Sequence, residues 1–178
     1  MINEWDNEIG SVLFSEEDIR KMVEKVGKQL SRDYAGRNPL LVVVLKGSMI
    51  FAADLMRSLT IHCEVDFMIV SSYAGKESTG IINVVQDLST DIAGRDVIIV
   101  EDILDSGKTL HKLKALLESR EPSSVKICTL LDKPTGRKAD ISADYVGGIV
   151  GDEFIVGYGL DYDQKYRNLP YIGVMRNS

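Results

Sequence analysis

Three carboxylates, Glu101, Asp102 and Asp105, lie within five residues of one another, directly after the apolar run 97–100. Ser-Gly-Lys-Thr follows at 106–109, where a helical pattern begins. Backbone N–H groups, two hydroxyls and a helix N-terminus in one turn make a cradle for phosphate. The carboxylates would repel phosphate unless a divalent cation or sugar hydroxyls lay between them. The segment therefore predicts a ligand with both hydroxyls and phosphate, accompanied by Mg²⁺.

Two other phosphate-binding motifs do not fit the chain. Gly107-Lys108-Thr109 ends like a P-loop, but that motif needs a glycine where Asp102 stands. The glycine fingerprint of dinucleotide-binding folds is also missing, because Gly157-Tyr158-Gly159 lacks the third glycine. An acidic helix start that stabilises the helix dipole would explain one carboxylate but not three.

The elements around this segment alternate between helices and strands. Ser15 and Asp18 form an N-cap signature for a helix that ends at Gly36. Apolar runs predict buried strands at 40–45, about 65–71, 96–100 and 125–131. Helical spacing predicts two more helices, one at 49–59 and one that begins after Thr109 and stops before Pro122. This order predicts an α/β fold with a central, mainly parallel sheet, which binds ligands at the carboxyl ends of its strands.

Composition predicts a single domain, 1–178, with one sizeable core. The 178 residues are 44% hydrophobic and 27% charged, without repeats or a low-complexity linker. A formal charge of −6 argues against nucleic acid or anionic lipid as a partner. We see no signal peptide and no apolar run long enough to span a membrane, so we expect a cytoplasmic protein.

The cysteines and histidines do not suggest a metal site. Cys63 and Cys128 stand in apolar surroundings without metal-ligand spacing, and His62 and His111 are the two histidines. Both cysteines are interpreted as small buried hydrophobic residues.

Two stretches depart from the alternation. Residues 71–83 are polar and contain glycine, which is typical either of a functional lid or of a surface hairpin. From Asp144 onward, short apolar pieces and aromatic residues predict a small cap over the edge of the sheet.

The stretch 97–109 resembles the phosphoribosyl-pyrophosphate signature of the type I phosphoribosyltransferases. Four further motifs stand in the order found in the 6-oxopurine, hypoxanthine-guanine branch of that family: Leu45-Lys46-Gly47-Ser48, Ser72-Tyr73, Asp132-Lys133 and 154–162. The resemblance covers nearly the whole chain. It implies the type I phosphoribosyltransferase fold, with a hood built from the N-terminal residues and about 150–178 and a flexible lid at about 71–83.

The activity implied by the resemblance is purine salvage. The family transfers the 5-phosphoribosyl group from phosphoribosyl pyrophosphate to N9 of hypoxanthine or guanine, giving IMP or GMP and pyrophosphate, with Mg²⁺. It commonly forms homodimers or homotetramers, and apolar residues of the 49–59 helix could serve a subunit interface or the core.

The resemblance also assigns roles around the signature. The phosphoribosyl group contacts Glu101, Asp102, Asp105, Ser106, Gly107, Lys108 and Thr109. Glu101 and Asp102 are implied metal ligands beside the ribose hydroxyls, and Asp161 resembles the family's second Mg²⁺ ligand. Asp105, near N7 of the base, is the candidate catalytic residue, and the alternative is that it only caps the loop.

Pyrophosphate and purine are implied to contact residues outside the signature. Lys46, Gly47 and Arg167 receive pyrophosphate, often with a cis peptide before the lysine; the alternatives are a lysine at a strand end and a surface arginine. The implied purine contacts are Lys133, Phe154, Ile155 and Asp161. Lys133 would select oxo over amino purines, because an ammonium group can only donate hydrogen bonds. Phe154 alone would be interpreted as a core residue. Ser72 and Tyr73 would lie at the tip of the lid.

Two alternative functions remain open from sequence. A sibling enzyme could prefer orotate, adenine or xanthine, and Lys133, Phe154 and Asp161 argue against the first two bases but not against xanthine. A regulator with this fold could bind RNA or DNA, but the acidic composition and the lack of a basic face argue against it.

Overall fold

A mainly parallel sheet of six strands forms the centre of the computed structural model, which describes residue 5 and residues 7–71 and 82–176. Its strands are β2 (Leu40–Leu45), β3 (Glu64–Ser71), β4 (Asn83–Gln86), β5 (Asp96–Leu104), β6 (Ser124–Asp132) and β7 (Tyr145–Ile149). They lie in the order β4-β3-β2-β5-β6-β7, and every neighbouring pair is parallel except β3 and β4. The predicted α/β fold class is confirmed.

Helices cover both faces of this sheet. α1 (Glu16–Asp33) and α2 (Met49–Ser58) bury apolar side chains against one face, and α3 (Lys108–Glu118) does so against the other. The predicted cap of α1 is confirmed, because Ser15 and Asp18 form a reciprocal capping box. In β2, five of six residues are buried, as expected for a strand covered on both sides.

Three antiparallel strands form a separate small sheet, ordered β1-β9-β8, from β1 (Ile9–Phe14), β8 (Ile155–Val156) and β9 (Ile172–Met175). The expectation that everything after Asp144 caps the sheet edge is wrong for β7, which extends the main sheet by pairing with β6. β1 was not predicted at all, since it acquires its partner, β9, only through long-range pairing. The grouping of these strands as the hood of one domain remains a prediction.

β5 continues beyond its predicted end at Val100. Its pairing with β6 extends through Glu101 opposite Thr129 to Leu104 opposite Asp132. Polar side chains at 101 and 102 suggested a loop, but ladder hydrogen bonds are made by the backbone and tolerate them. The two carboxylates therefore stand on a strand.

The predicted lid lies between β3 and β4, and its residues 72–81, which include Ser72 and Tyr73, are outside the described residues. At its base, Ser71 pairs with Asn83 and Val70 with Val84. Of the helices that the structure describes, none has the length and apolar character needed to cross a membrane. Cys128 is buried and Cys63 half-buried, both as free thiols.

Candidate active site

A tight turn joins β5 to α3 at the carboxyl edge of the sheet. β5 ends at Leu104, and Gly107 is the N-cap of α3, so the turn occupies three residues. Gly107 has φ +74°, and a Cβ there would lie 2.5 Å from Cγ2 of Ile141, so the position requires glycine. A cavity of about 260 Å³ opens beside the turn, lined in part by Leu45, Glu101, Ser106 and Thr109. The turn thus presents a helix N-terminus to a cavity, as the sequence predicted.

Glu101 and Asp102 form a crowded acidic pair. Burial raises the pKa of Glu101 well above its usual range, and the neighbouring Asp102 carboxylate adds to the shift. Burial also raises the pKa of Asp102, although hydrogen bonds from Glu101 and the Ile103 N–H, and the Arg167 charge, oppose the shift. Because nothing fully offsets their charge, the pair is chemically suited to a divalent cation.

We expect Glu101→Gln to stabilise the metal-free protein, increasingly so as pH rises. The folded-state pKa of Glu101 lies above its ordinary value of 4.5, so the carboxyl group costs increasing stability as pH rises above 4.5, and the full cost is reached once pH exceeds the raised pKa. A neutral amide removes that cost. The melting temperature without metal should exceed that of the native chain by roughly 3 °C at pH 8, and by less at pH 5.

The matched control is Glu24→Gln, because Glu24 is a surface glutamate whose side chain is 43% exposed. It should leave the melting temperature nearly unchanged at both pH values. If the melting temperature of Glu101→Gln equals that of the native chain at every pH, the Glu101 carboxylate does not destabilise the metal-free protein.

The loop after β2 touches Asp102. The peptide between Leu45 and Lys46 is cis. A Cβ placed on Gly47 would lie 1.8 Å from Oδ2 of Asp102, so only glycine allows this approach. Ser48, which precedes α2, is fully buried and donates its hydroxyl to the Val44 carbonyl. The loop is thereby held against the end of β5.

A second loop, after β8, packs on the first. Gly159 has φ +100°, and a Cβ there would lie 2.0 Å from the carbonyl oxygen of Gly47. Tyr158 is buried and donates its hydroxyl to Oδ2 of Asp54 on α2, 2.6 Å away. Three segments that are far apart in sequence therefore meet at Gly47.

Arg167 is not the free surface arginine that sequence left as an alternative. Its Nη2 lies 2.8 Å from Oδ1 of Asp161, and its side chain is only 18% exposed. Nη1 donates to the Gly159 carbonyl at 2.6 Å. Arg167 and Asp161 therefore form an ion pair. The resemblance gave Arg167 to pyrophosphate and Asp161 to metal and purine, and did not predict this contact.

Lys133 follows β6, and its ammonium group lies close to the segment that carries Phe154. Nζ of Lys133 donates to the carbonyl oxygens of Asp152 and Glu153 at 3.4 and 3.2 Å, just before Phe154. The interpretation of Phe154 as a core residue is wrong, because it is 42% exposed. Its ring lies edge-on to Tyr162, with centroids 5.5 Å apart. These rings form an exposed aromatic platform beside an ammonium group.

Ile155, in contrast, is buried in β8, where it pairs with Val174. Its side chain belongs to the core cluster on the α1 and α2 side of the sheet.

Asp105 is exposed in the turn. A Cβ on Gly136 would lie 1.8 Å from its Oδ1, so the carboxylate reaches the segment that follows Lys133. The N-cap of α3 is Gly107, so Asp105 does not cap that helix. The choice between a catalytic role and one confined to the loop remains a prediction.

Sequence reasoning missed two residues. Tyr162 was quoted only within the motif 154–162, although an exposed aromatic residue near another is a signal that could have identified it. No sequence motif includes Arg137, yet its guanidinium donates hydrogen bonds to the carbonyls of Leu104, at the end of β5, and Asp105, in the turn. No local pattern could have revealed that contact, which spans more than thirty residues.

The three predicted metal ligands do not converge on one point. Within the described part of the chain, no three His, Cys, Asp or Glu side chains are placed to hold a single ion. Glu101 and Asp102 are adjacent, whereas Asp161 pairs with Arg167. An ion at Glu101 and Asp102 would complete its shell with water and ligand oxygens, which is common for Mg²⁺.

The fold and site define a class of protein: a mainly parallel sheet whose carboxyl edge carries an acidic pair and a tight turn into a helix N-terminus. Comparison with known proteins identifies that class. The model of the phosphoribosyl transferase domain family matches residues 13–163. A crystal structure of a hypoxanthine phosphoribosyltransferase from Staphylococcus aureus superimposes with a TM-score of 0.95 at 49% identity, covering 99% of this chain and 96% of that one. The chain belongs to the phosphoribosyltransferase family and is a transferase.

Its relatives place it in one branch of that family. The hypoxanthine-guanine phosphoribosyltransferases of Streptococcus thermophilus and Streptococcus pneumoniae are 54% and 53% identical to it over 172 residues, 96% of this chain and of each relative. The resemblance to the purine salvage enzymes of the hypoxanthine-guanine branch, and the type I fold that it implied, are confirmed.

Proposed function

We propose that this chain transfers the 5-phosphoribosyl group from phosphoribosyl pyrophosphate to N9 of hypoxanthine or guanine, releasing pyrophosphate and giving IMP or GMP. The observation that carries the proposal is the joining of three features at one sheet edge. These are the turn 105–107, the acidic pair of Glu101 and Asp102, and the ammonium of Lys133 near the exposed ring of Phe154. They match a ligand made of phosphate, ribose and purine, in that order.

The turn supplies the contacts for the 5-phosphate. Backbone N–H groups, the hydroxyls of Ser106 and Thr109 and the start of α3 suit a dianion. Glu101 and Asp102 suit the ribose hydroxyls, directly or through a cation. Lys108 begins α3 and adds positive charge to this end of the site.

The loop around Gly47 suits the pyrophosphate group. Backbone N–H groups of Lys46 and Gly47 and the fork of Arg167 can stabilise negative charge that grows on the leaving group. Mg²⁺ held by Glu101 and Asp102, with Asp161 serving a second ion, would neutralise phosphate charge when bound.

Asp105 suits proton transfer at N7 of the base as N9 forms its bond to the ribose. Its carboxylate lies between the phosphate turn and the segment that follows Lys133. General acid–base catalysis by one positioned group contributes about 10²–10⁴-fold to a rate.

The proposal extends to the lid, the hood and the cellular setting. Residues 71–83, with Ser72 and Tyr73, would close over the donor and exclude water. Residues near the N-terminus and about 150–178 would form the hood of a single domain. Because phosphoribosyl pyrophosphate is highly charged and does not cross membranes freely, we place the protein in the cytoplasm, with small molecules rather than nucleic acid or membranes as partners.

We also propose a homodimer or homotetramer. Met49 on α2 and Phe67 on β3 are 46% and 41% exposed. Phe67 is the register partner of Val43, whose side chain lies in the core cluster beneath α2, so Phe67 belongs to the sheet face that α2 covers. Light scattering on the purified chain would give a monomer mass if this surface had no partner.

Incubation with Mg²⁺, phosphoribosyl pyrophosphate and each base in turn tests the activity. We expect IMP from hypoxanthine and GMP from guanine, detected by chromatography together with released pyrophosphate. Adenine should react far more slowly than either base, and orotate should give no product. The same assay will show whether xanthine is a substrate. Absence of product with both hypoxanthine and guanine would refute the proposal.

Lys133→Ala is expected to erode the preference for oxo bases. The ammonium can donate to O6 of hypoxanthine but opposes the amino group of adenine, so its loss should lower the ratio of kcat/KM for the two bases about 100-fold. Lys138→Ala is the matched control, because Lys138 is exposed and its backbone contact survives the change. If this ratio of kcat/KM values is unchanged in Lys133→Ala, Lys133 does not select the base.

A further inference from the structure

Arg137 joins the end of β6 to the phosphate turn. Its Nε donates to the carbonyl of Asp105 at 2.9 Å, and its Nη2 donates to the carbonyl of Leu104 at 3.2 Å. Nη2 also contacts a carboxylate oxygen of Asp132, and Nη1 donates to the carbonyl of Ile141 at 2.6 Å. The side chain is only 19% exposed. All these partners are protein groups, so Arg137 is engaged before any ligand arrives.

The backbone after Arg137 continues the same pattern. The N–H groups of Lys138 and Ala139 donate to the carbonyl of Ser106 at 2.9 and 3.1 Å. Three successive carbonyls, that of Leu104 at the end of β5 and those of Asp105 and Ser106 in the turn, therefore face the segment 137–139.

The orientation of these carbonyls decides where the N–H groups of the turn point. In a trans peptide, the N–H of the next residue lies opposite the C=O. The N–H groups of Asp105, Ser106 and Gly107 thus point away from Arg137. Those of Ser106 and Gly107 have no acceptor among the residues that the structure describes. They add to the free N–H groups of the first turn of α3.

Arginine suits this task better than lysine. Its planar fork offers several donors at fixed angles, so one side chain can hold two adjacent carbonyls and a carboxylate together. The ion pair with Asp132 fixes the guanidinium to the strand end that also carries Lys133. The turn is anchored to the same strand end that presents Lys133.

We propose that Arg137 is a positioning residue, which turns the carbonyls of residues 104 and 105 outward so that the N–H groups of the turn converge on the 5-phosphate. This inference rests on the proposed function, in which that turn holds the phosphate. Arg137 itself does not touch the substrate.

The test compares two ligands that differ only in the 5-phosphate, IMP and inosine, with affinities measured by calorimetry. Their affinity ratio reports the contribution of the phosphate alone. In Arg137→Met the ratio should fall about tenfold or more, the equivalent of one hydrogen bond to a charged group. Arg137→Lys, which retains the charge but not the fork, should lose nearly as much.

Arg120→Met is the matched control. Arg120 makes a two-pronged contact with Asp87, at 2.8 Å for each oxygen, and is 30% exposed, but it lies away from the turn. Its affinity ratio should equal that of the native chain. A change in overall stability would weaken both ligands together and leave the ratio unmoved.

The outcomes separate the two claims. If the native chain binds IMP no more tightly than inosine, the turn does not hold phosphate and the proposed function is at fault. If the native ratio is large but persists in Arg137→Met, the positioning role is wrong. Should Arg137→Met fail to fold, a native ratio in Arg137→Lys would overturn the positioning role in the same way.

Discussion

Asp105→Asn is expected to lower kcat about 1000-fold, within the range contributed by a positioned general acid or base, and to change the dissociation constant for phosphoribosyl pyrophosphate only slightly. Asparagine keeps the shape of the side chain but cannot accept a proton at neutral pH. The carboxylate is exposed in the turn and reaches Gly136, so it can contact a base there without supporting the fold. Steady-state kinetics and calorimetric binding of the donor, measured side by side, separate the two effects.

Asp91→Asn is the control for this experiment. Asp91 is an exposed aspartate that accepts a hydrogen bond from the Ala93 N–H at 3.0 Å, and an amide oxygen can replace it. It should leave kcat unchanged. Equal losses of kcat and donor affinity in Asp105→Asn would assign Asp105 to donor binding rather than to the chemical step.

Gly47→Ala is the second large effect that we expect. An added methyl group would lie 1.8 Å from Oδ2 of Asp102, and the carbonyl of Gly47 is itself within 2.0 Å of a Cβ built on Gly159. Neither neighbour can retreat easily, since Gly159 approaches through its backbone and the Asp102 carboxylate is held by a hydrogen bond from the Ile103 N–H to Oδ1, 2.7 Å away. The loop must move, which displaces the predicted pyrophosphate contacts and a predicted metal ligand together. Because a 1 Å displacement can cost about 10²-fold, disturbing both should reduce kcat/KM for the donor about 1000-fold.

Gly10→Ala supplies the comparison for Gly47→Ala. A Cβ on Gly10 would meet its nearest atom, the Val174 carbonyl oxygen, at 3.4 Å, an ordinary contact. This variant should keep full activity. Circular dichroism and thermal melting would show whether both variants fold. If folded Gly47→Ala turned over the donor at the native rate, the close approach of this loop to Asp102 would have no part in the reaction.

Local sequence predicted the main framework of the fold. The apolar run at 40–45 coincides with β2, and the capping box at Ser15 starts α1. Such features depend on neighbouring residues alone, through hydrophobic periodicity and cap hydrogen bonds. The signature at 97–109 likewise identified the strand, turn and helix that form the candidate site.

Some boundaries and pairings could not be predicted in this way. β5 extends to Leu104 because β6 continues beside it, and β1 is a strand because β9 lies next to it. Strand pairing is a property of two segments, and one sequence does not contain the register between them.

The chemical groups available to this protein, and the helix, strand or turn on which most of them stand, can be recognised from the order of its residues. Tertiary structure decided which of them touch: Gly47 with Asp102, Asp161 with Arg167, and Arg137 with the carbonyls of the turn. The difference lies in how far apart in the sequence the interacting residues are. Periodicity and capping act over a few residues, whereas these contacts join segments that only the packing of sheet, helices and loops brings within a few ångströms.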